Sequence, residues 1–233
     1  EIGPGIGTLT QALAETGAAV TAVELDTRLL PVLDKTLEHY PNVRIVHGDI
    51  MKIDIEETMG HRPFTVCANL PYYITTPIIM KLLPIERIVV MVQKEVAERM
   101  TARPGSKIYG ALSVSVQYYT EPEILFEIPP RAFMPAPEVT SAVVTMDVRK
   151  QPPVTVLEEK RFFQVVKTAF SQRRKTFSNT LKGAGVSKDD IQQILAASGI
   201  DGSRRGETFS LDEFAAVSDA WTRLIQKQDV SCQ

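Results

Sequence analysis

The sequence predicts an α/β domain with a mostly parallel sheet, followed by a small all-α domain. Three observations carry that expectation. Short apolar, β-branched runs alternate with stretches of helical period through residue 150. A glycine-rich turn, Gly3-Pro4-Gly5-Ile6-Gly7, stands at the start of the first helix, where sheets of this kind bind ligands. Beyond a proline-containing linker, Arg149-Lys150-Gln151-Pro152-Pro153, the period is helical throughout. The expected domains are therefore 1–150 and 151–233.

Taken in order, Thr8–Glu15 reads as a helix and Val20–Val23 as a buried strand. A helix over Thr27–Glu38 leads to strands at Val43–Val46 and Phe64–Ala68. Thr76 followed by Pro77 fits a cap and a proline at the first helical position, starting a helix to Leu82. Ile88–Val92 is the next strand. Strands and helices in alternation imply a parallel sheet covered on both faces. Leu112–Tyr118 and Ala142–Val148 have no clear helix between them and are expected as an antiparallel hairpin closing the sheet edge. After the linker, Phe162, Val165, Val166, Ala169 and Phe170 mark one apolar helix face. Ser187-x-x-Asp190 and Ser210-x-x-Glu213 resemble helix-start boxes for Ile191–Ala197 and Phe214–Ile225.

Composition bounds the function. The 233 residues are 44% hydrophobic and 23% charged, ordinary for a globular protein. No apolar run approaches the roughly 20 residues that cross a bilayer, and no signal-peptide pattern is present. Cys67 and Cys232 lie far apart, which suggests neither a disulfide framework nor a metal site. His39, His47 and His61 are scattered and read as surface or strand-end residues. The expectation is a reduced, cytoplasmic, monomeric protein that holds no metal. A net charge of −2 gives no global signature of nucleic-acid binding, so any such surface must come from local clustering. The chain opens with Glu1-Ile2-Gly3, directly on the glycine turn. An N-terminal segment is therefore expected to be missing, with weaker cofactor binding as the consequence.

Glycines at 3, 5 and 7 allow a tight turn and close approach of backbone to a nucleoside. Glu24 ends the next strand, 21 residues after Gly3, where a carboxylate can accept both ribose hydroxyls. That much fits a nicotinamide dinucleotide and S-adenosyl-L-methionine equally well. The spacing G-x-G-x-G departs from the dinucleotide pattern G-x-G-x-x-G. Gly48-Asp49-Ile50 follows the strand Val43–Val46, and a carboxylate there can accept from an adenine amino group.

Asn69-Leu70-Pro71-Tyr72, at the carboxyl end of the strand Phe64–Ala68, is the decisive motif. An adenine amino nitrogen is a poor nucleophile because its lone pair is delocalised into the ring. Its proton becomes acidic once a methyl is attached, so no strong base is required. Two acceptors must instead hold the N–H bonds and aim the lone pair. The Asn69 amide oxygen and the backbone carbonyl of Leu70 or Pro71 can do so, while Pro71 stiffens the turn. Tyr72 can stack on a base drawn out of an RNA stack. Phe133, in Phe133-Met134-Pro135-Ala136-Pro137-Glu138-Val139-Thr140-Ser141, is a candidate for the other face of the base slot.

The order G-x-G-x-G, VELD, GDI, NLPY and F-x-P-x-P-x-V-x-S resembles the ribosomal RNA adenine methyltransferase family. Gln93–Ala97, Pro104–Gly110 and Phe170–Phe177 narrow the likeness to its KsgA-type small-subunit dimethyltransferases. The resemblance implies a Rossmann-like class I methyltransferase fold and S-adenosyl-L-methionine as cofactor. It also implies two methyls on each of two neighbouring adenines near the 3′ end of small-subunit (16S) rRNA, transferred on a pre-assembled 30S particle. Gly3, Gly5, Glu24, Asp49 and Asn69 would contact the cofactor. Glu1, Gly7, Leu25 and Ile50 beside them complete the candidate set. Asn69, Leu70, Pro71, Tyr72 and Phe133 would hold the target base.

Lys160 to Lys182 contains seven positive residues and no acidic one. That is the expected footprint of phosphate contact, centred on Arg173, Arg174 and Lys175. Arg99, Arg103 and Lys107 offer a second contact. Three other readings compete. A large-subunit rRNA methyltransferase of the macrolide-resistance type shares the catalytic motifs, and the basic helical segment favours the small subunit. A non-catalytic ribosome-assembly factor is countered by the intact NLPY turn and Glu24. A nicotinamide dehydrogenase is countered by the glycine spacing and the lack of a placed catalytic histidine.

Overall fold

A computed structural model of the chain describes residues 1–71, 74–83, 85 and 87–231. They pack as two compact units, Glu1–Ala97 with Thr120–Val148, and Glu98–Tyr119 with Arg149–Gln233.

In the first unit α1 (Thr8–Glu15) leads to β1 (Val20–Glu24), α2 (Leu30–Thr36) and β2 (Val43–His47). A short α3 (Ile55–Met59) precedes β3 (Thr65–Asn69), α4 (Thr75–Leu82), β4 (Arg87–Gln93) and the start of α5 (Lys94–Thr101). Thr120–Ile128 (β5, after a helix described below) and Ser141–Val148 (β6) complete the unit. β1 and β2 pair in parallel, as do β3 and β4, while β6 runs antiparallel to both β4 and β5. The strands lie in two sections, β1-β2 and β3-β4-β6-β5. On its side away from β2, β1 meets Ile2 through a parallel bridge at Val23. A cavity of about 1070 Å³ lies there, lined by Ile2, Val20, Val23, Val66, Cys67 and Leu82 among others. Alternating burial along β4, with Ile88, Val90 and Val92 fully buried, places the core on one strand face.

The second unit is helical. It holds α6 (Ala111–Tyr119), α7 (Glu159–Ala169), α8 (Phe177–Gly183), α9 (Lys188–Ser198) and α10 (Leu211–Ser231). Tyr109, Tyr118, Phe162, Phe177, Phe209 and Phe214 form its buried aromatic centre. The Ser187 box starts α9 as its sequence suggests, the Ser187 hydroxyl accepting from the Asp190 amide at 3.1 Å.

Four expectations need correction. Leu112–Tyr118 is a helix, not a strand. Its apolar residues alternate with Ser113, Ser115 and Gln117, which mimics strand period. Both serines are buried, however, the Ser113 hydroxyl donates to the Arg99 carbonyl at 2.5 Å, and the Gln117 amide donates to the carbonyls of Met100 and Ala102. A helix buried nearly all round carries no amphipathic period. The antiparallel edge exists, but β5 supplies it; Pro122 and the bulge between Ile124 and Phe126 suit an edge strand. Thr76 does not cap α4, which begins one residue earlier with Ile74 at the cap position. The second helix is shorter than Thr27–Glu38, covering Leu30–Thr36.

Candidate active site

The candidate residues of the first unit fall at one edge of its strands. Register places them there. Ile2 bridges Val23, and the Gly3 amide donates to the Val23 carbonyl at 2.9 Å, so the glycine turn emerges beside the end of β1. Gly3, Gly5 and Gly7 have φ of 66°, 61° and 92°, a region that side chains with a Cβ rarely enter. A Cβ on Gly3 or Gly5 would meet nothing within 4 Å, so the turn faces open space. Gly7 is packed differently, its would-be Cβ lying 3.1 Å from the Thr36 hydroxyl.

Glu24 is the last residue of β1 and only 6% exposed. One carboxylate oxygen accepts the Asp26 amide hydrogen at 2.7 Å. The other accepts no hydrogen bond from the described residues and is left for solvent or a ligand to satisfy. Asp26, two residues on, is already engaged. Arg28 hydrogen-bonds to its carboxylate at 2.6 Å and holds that group down at about 2. Leu25 and Ile6 are apolar yet about 60% exposed, at 60% and 61%. Ile6 was not among the residues singled out from sequence; its position between two glycines is the signal that would have found it.

The Gly48 amide donates to the Glu24 carbonyl at 2.8 Å, stitching the ends of β1 and β2. Asp49 follows, half-buried, with one oxygen accepting the Met51 amide at 2.9 Å and the other 3.9 Å from the Lys52 ammonium. Ile50 is half-buried and lines the cavity beside β1. Glu1 also lines it, its carboxylate accepting the Thr10 hydroxyl at 2.6 Å. Burial, more than that bond, sets the Glu1 carboxyl above its ordinary value.

Asn69 ends β3 and is exposed, while Leu70 is buried. The Leu70 amide donates to Met91 in β4 at 3.1 Å. The Pro71 carbonyl accepts from the Ile74 amide at 3.1 Å and from the Thr75 hydroxyl at 2.9 Å. Thr75 was missed in sequence because Thr76, beside Pro77, reads as the helix cap and draws attention away from its neighbour. Tyr72, the fourth residue of the motif, lies outside the described residues. Phe133 sits half-buried in the loop before β6, just after a single 3₁₀ turn at Pro130–Ala132. Ser141, first in β6, pairs with Gln93, last in β4. The Phe133 loop thus returns to the carboxyl edge of β4, the edge that Asn69 shares through its pairing with Met91. Buried Glu24 and the open glycine turn thus stand together at the end of β1, and exposed Asn69 stands at the carboxyl end of β3, strand ends suited to a nucleoside-containing cofactor and a flat polar substrate.

In the second unit, Arg173, Arg174 and Lys175 are exposed and wall a surface hollow with Gln172. The Arg173 guanidinium donates to the Lys107 carbonyl, so this loop and the Arg103–Lys107 loop lie side by side. Arg99 is half-buried. Arg161 serves structure, with its guanidinium 5.1 Å above the Trp221 ring.

A family model described as Ribosomal RNA adenine dimethylase matches residues 1–219. The chain is 52% identical over 233 residues to the Ribosomal RNA small subunit methyltransferase A of Geobacillus sp. (strain WCH70), covering 94% of this chain and 80% of that protein. It is 50% identical to the protein of the same name from Bacillus licheniformis, again over 94% and 80% of the two chains. Among solved structures, a dimethyladenosine transferase from Plasmodium falciparum superposes with a TM-score of 0.77 at 23% identity, over 97% of this chain and 89% of that one. The 23S rRNA methyltransferase ErmE gives 0.69 at 24%, over 95% and 89%. At those identities the two structures share the Rossmann-like fold with this chain.

Proposed function

The chain belongs to the ribosomal RNA adenine dimethylase family, and on that premise we propose that it dimethylates the exocyclic amino groups of two adjacent adenines in small-subunit (16S) rRNA. S-adenosyl-L-methionine is the methyl donor, and the substrate is the rRNA within a 30S particle. The observation that carries the reading is the buried Glu24 carboxylate at the carboxyl end of β1, with one oxygen bonded to the Asp26 amide, together with exposed Asn69 at the carboxyl end of β3. The small subunit is favoured because the relatives at 50–52% identity bear that name. The enzyme acts in the cytoplasm as a monomer; among the described residues no helix is long and apolar enough to cross a membrane.

The residues fit the cofactor. Glu24 has an oxygen free for ribose hydroxyls, and the glycine turn has open space above Gly3 and Gly5. Leu25, Ile6 and Ile50 offer apolar surface for the adenine ring, Asp49 accepts from its amino group, and Glu1 and Gly7 support the turn. When bound, the cofactor supplies an electrophilic methyl on a sulfonium centre. The protein's task is then positioning. The Asn69 amide oxygen and one backbone carbonyl of the Leu70–Pro71 turn accept the two N–H bonds of the target amine. Its lone pair is thereby turned out of conjugation and into line with the methyl. The nitrogen carries a positive charge once it bonds to carbon, and the proton then leaves readily toward water. Tyr72 and Phe133 stack on the extruded base, and Arg99, Arg103, Lys107, Arg173, Arg174 and Lys175 hold phosphates.

Transfer of labelled methyl groups to small-subunit particles lacking the modification tests this. The expected product is dimethyladenosine at two neighbouring positions. Label confined to large-subunit rRNA, or no label, overturns the reading.

A further inference from the structure

The Leu70–Pro71 peptide group is held from both sides. Upstream, the Leu70 amide is tied to Met91 in β4. Downstream, the Pro71 carbonyl takes two donors, the Ile74 amide at 3.1 Å and the Thr75 hydroxyl at 2.9 Å. A carbonyl oxygen has two lone pairs, so two donors fill it. Between these anchors lies the Leu70 carbonyl, to which no donor comes among the described residues. Proline contributes no N–H to that peptide plane, and the plane itself is rigid.

Thr75 is 2% exposed, and its hydroxyl reaches back over four residues, out of α4 and into the turn. A threonine at a helix start more often accepts a hydrogen bond from the helix's own amides. Here the cap position is held by Ile74, whose side chain offers no acceptor, and Thr75 is the first helical residue. Its hydroxyl donates to the turn that precedes the helix. From this geometry we infer that Thr75 is a positioning residue for methyl transfer. It occupies and fixes the Pro71 carbonyl, leaving the Leu70 carbonyl as the backbone acceptor that orients the target amine. The inference rests on the methyltransferase reading above.

The test compares Thr75→Val, which keeps shape and removes the hydroxyl, with Thr75→Ser, which keeps the hydroxyl. Methyl transfer to small-subunit particles is measured at saturating cofactor, beside cofactor affinity by calorimetry and thermal melting. Thr75→Val is expected to lower kcat by about 10- to 100-fold, the order that a misplaced reacting group brings. Its cofactor affinity stays within about twofold, as one uniform-binding contact is untouched. Thr75→Ser restores kcat to within a few fold. Hydrogen exchange at the Ile74 amide, which shares the Pro71 carbonyl, reads the turn without any turnover; it should quicken in the valine variant and recover in the serine one. Unchanged kcat and unchanged exchange in folded Thr75→Val overturn the inference. So does a parallel fall in kcat, cofactor affinity and melting temperature that serine does not rescue, which marks a purely structural residue. If valine prevents folding, Thr75→Ala carries the same comparison. Wild-type protein that transfers no methyl overturns the functional reading instead, and the exchange measurement still decides whether Thr75 fixes the turn.

Discussion

One carboxylate oxygen of Glu24 accepts the amide hydrogen of Asp26 at 2.7 Å, and that bond fixes the side chain at the end of β1. With one oxygen anchored, the other is presented in a set direction before any ligand arrives. Pre-organisation of this kind spares the binding step an ordering cost. Glu24→Gln keeps the shape and an oxygen for the Asp26 amide but removes the charge. Hydrogen bonds to charged groups contribute about 1.5–3 kcal/mol. Affinity for S-adenosyl-L-methionine should therefore fall roughly 10- to 150-fold with little change in melting temperature. Calorimetry checks it; unaltered affinity in a folded variant would move the ribose contact off Glu24.

Asn69 supplies the one side-chain acceptor in the described part of the Asn69–Pro71 turn. Asn69→Ala should leave the fold intact, since the side chain is exposed. It should cost about 10²–10³ in turnover, the order found for one preorganised polar contact in a transition state. Near wild-type methylation by the folded alanine protein would sink the proposed mechanism.

How much of this was legible in sequence depended on whether burial was one-sided. β1, β2, β3 and β4 were found within a residue or two of their observed limits because each is a short β-branched run, and the glycine turn, Glu24, Asp49 and Asn69 stand at element ends where sequence marks them. The segment 112–118 was misread for the opposite reason. Serines at 113 and 115 are both buried, the first bonded to the Arg99 carbonyl, and their burial erased the polar face that would have shown helical period. β5 was invisible because Glu121, Pro122, Glu123 and Glu127 give an edge strand the composition of a loop. Thr75 was hidden by a neighbour of the same type. Burial and the hydrogen bond to Pro71 tell the two threonines apart.

Gly206 approaches α7 closely. A Cβ there would sit 2.7 Å from the Ala169 Cβ and 2.9 Å from its carbonyl oxygen. The oxygen belongs to the backbone and cannot swing aside. Gly206→Ala should destabilise the protein by about 1–3 kcal/mol through overpacking. A chemical denaturation curve measures it, and an unchanged midpoint would mean that the 3₁₀ turn at Gly206–Thr208 shifts freely.

The Glu213 carboxyl lies below its ordinary value of 4.5, chiefly because Arg204 hydrogen-bonds to it, with the Ser210 amide adding a smaller effect. For an acid whose value is depressed in the fold, the added stability is complete above the unfolded value. It is lost as pH falls through the folded one. The melting temperature should accordingly drop as pH is lowered from about 4.5, and less steeply in Glu213→Gln. The pair is a third exposed, so the effect is modest and salt weakens it. Identical pH profiles for the two proteins would remove the ion pair from the account.

Arg173, Arg174 and Lys175 follow the apolar face of α7 in sequence and are exposed. Arg173 donates to the Lys107 carbonyl, which leaves most of its five N–H groups for a phosphate while fixing the loop that carries it. Replacing all three with Gln should weaken RNA binding without changing S-adenosyl-L-methionine affinity. Each lost phosphate contact should flatten the slope of log K against log salt by roughly 0.7 to 0.9, so three contacts remove about two to nearly three units. Base selectivity should survive, because phosphate contacts set position while the turn at Asn69 does the reading. A salt titration of binding to small-subunit particles, wild type beside the triple variant, reads all of this at once. An unchanged slope would assign the three residues to an ordinary solvated surface. Arg99 at the end of α5, with Arg103 and Lys107 in the loop after it, would then be the next place to look, since they offer the same charge type on the same unit.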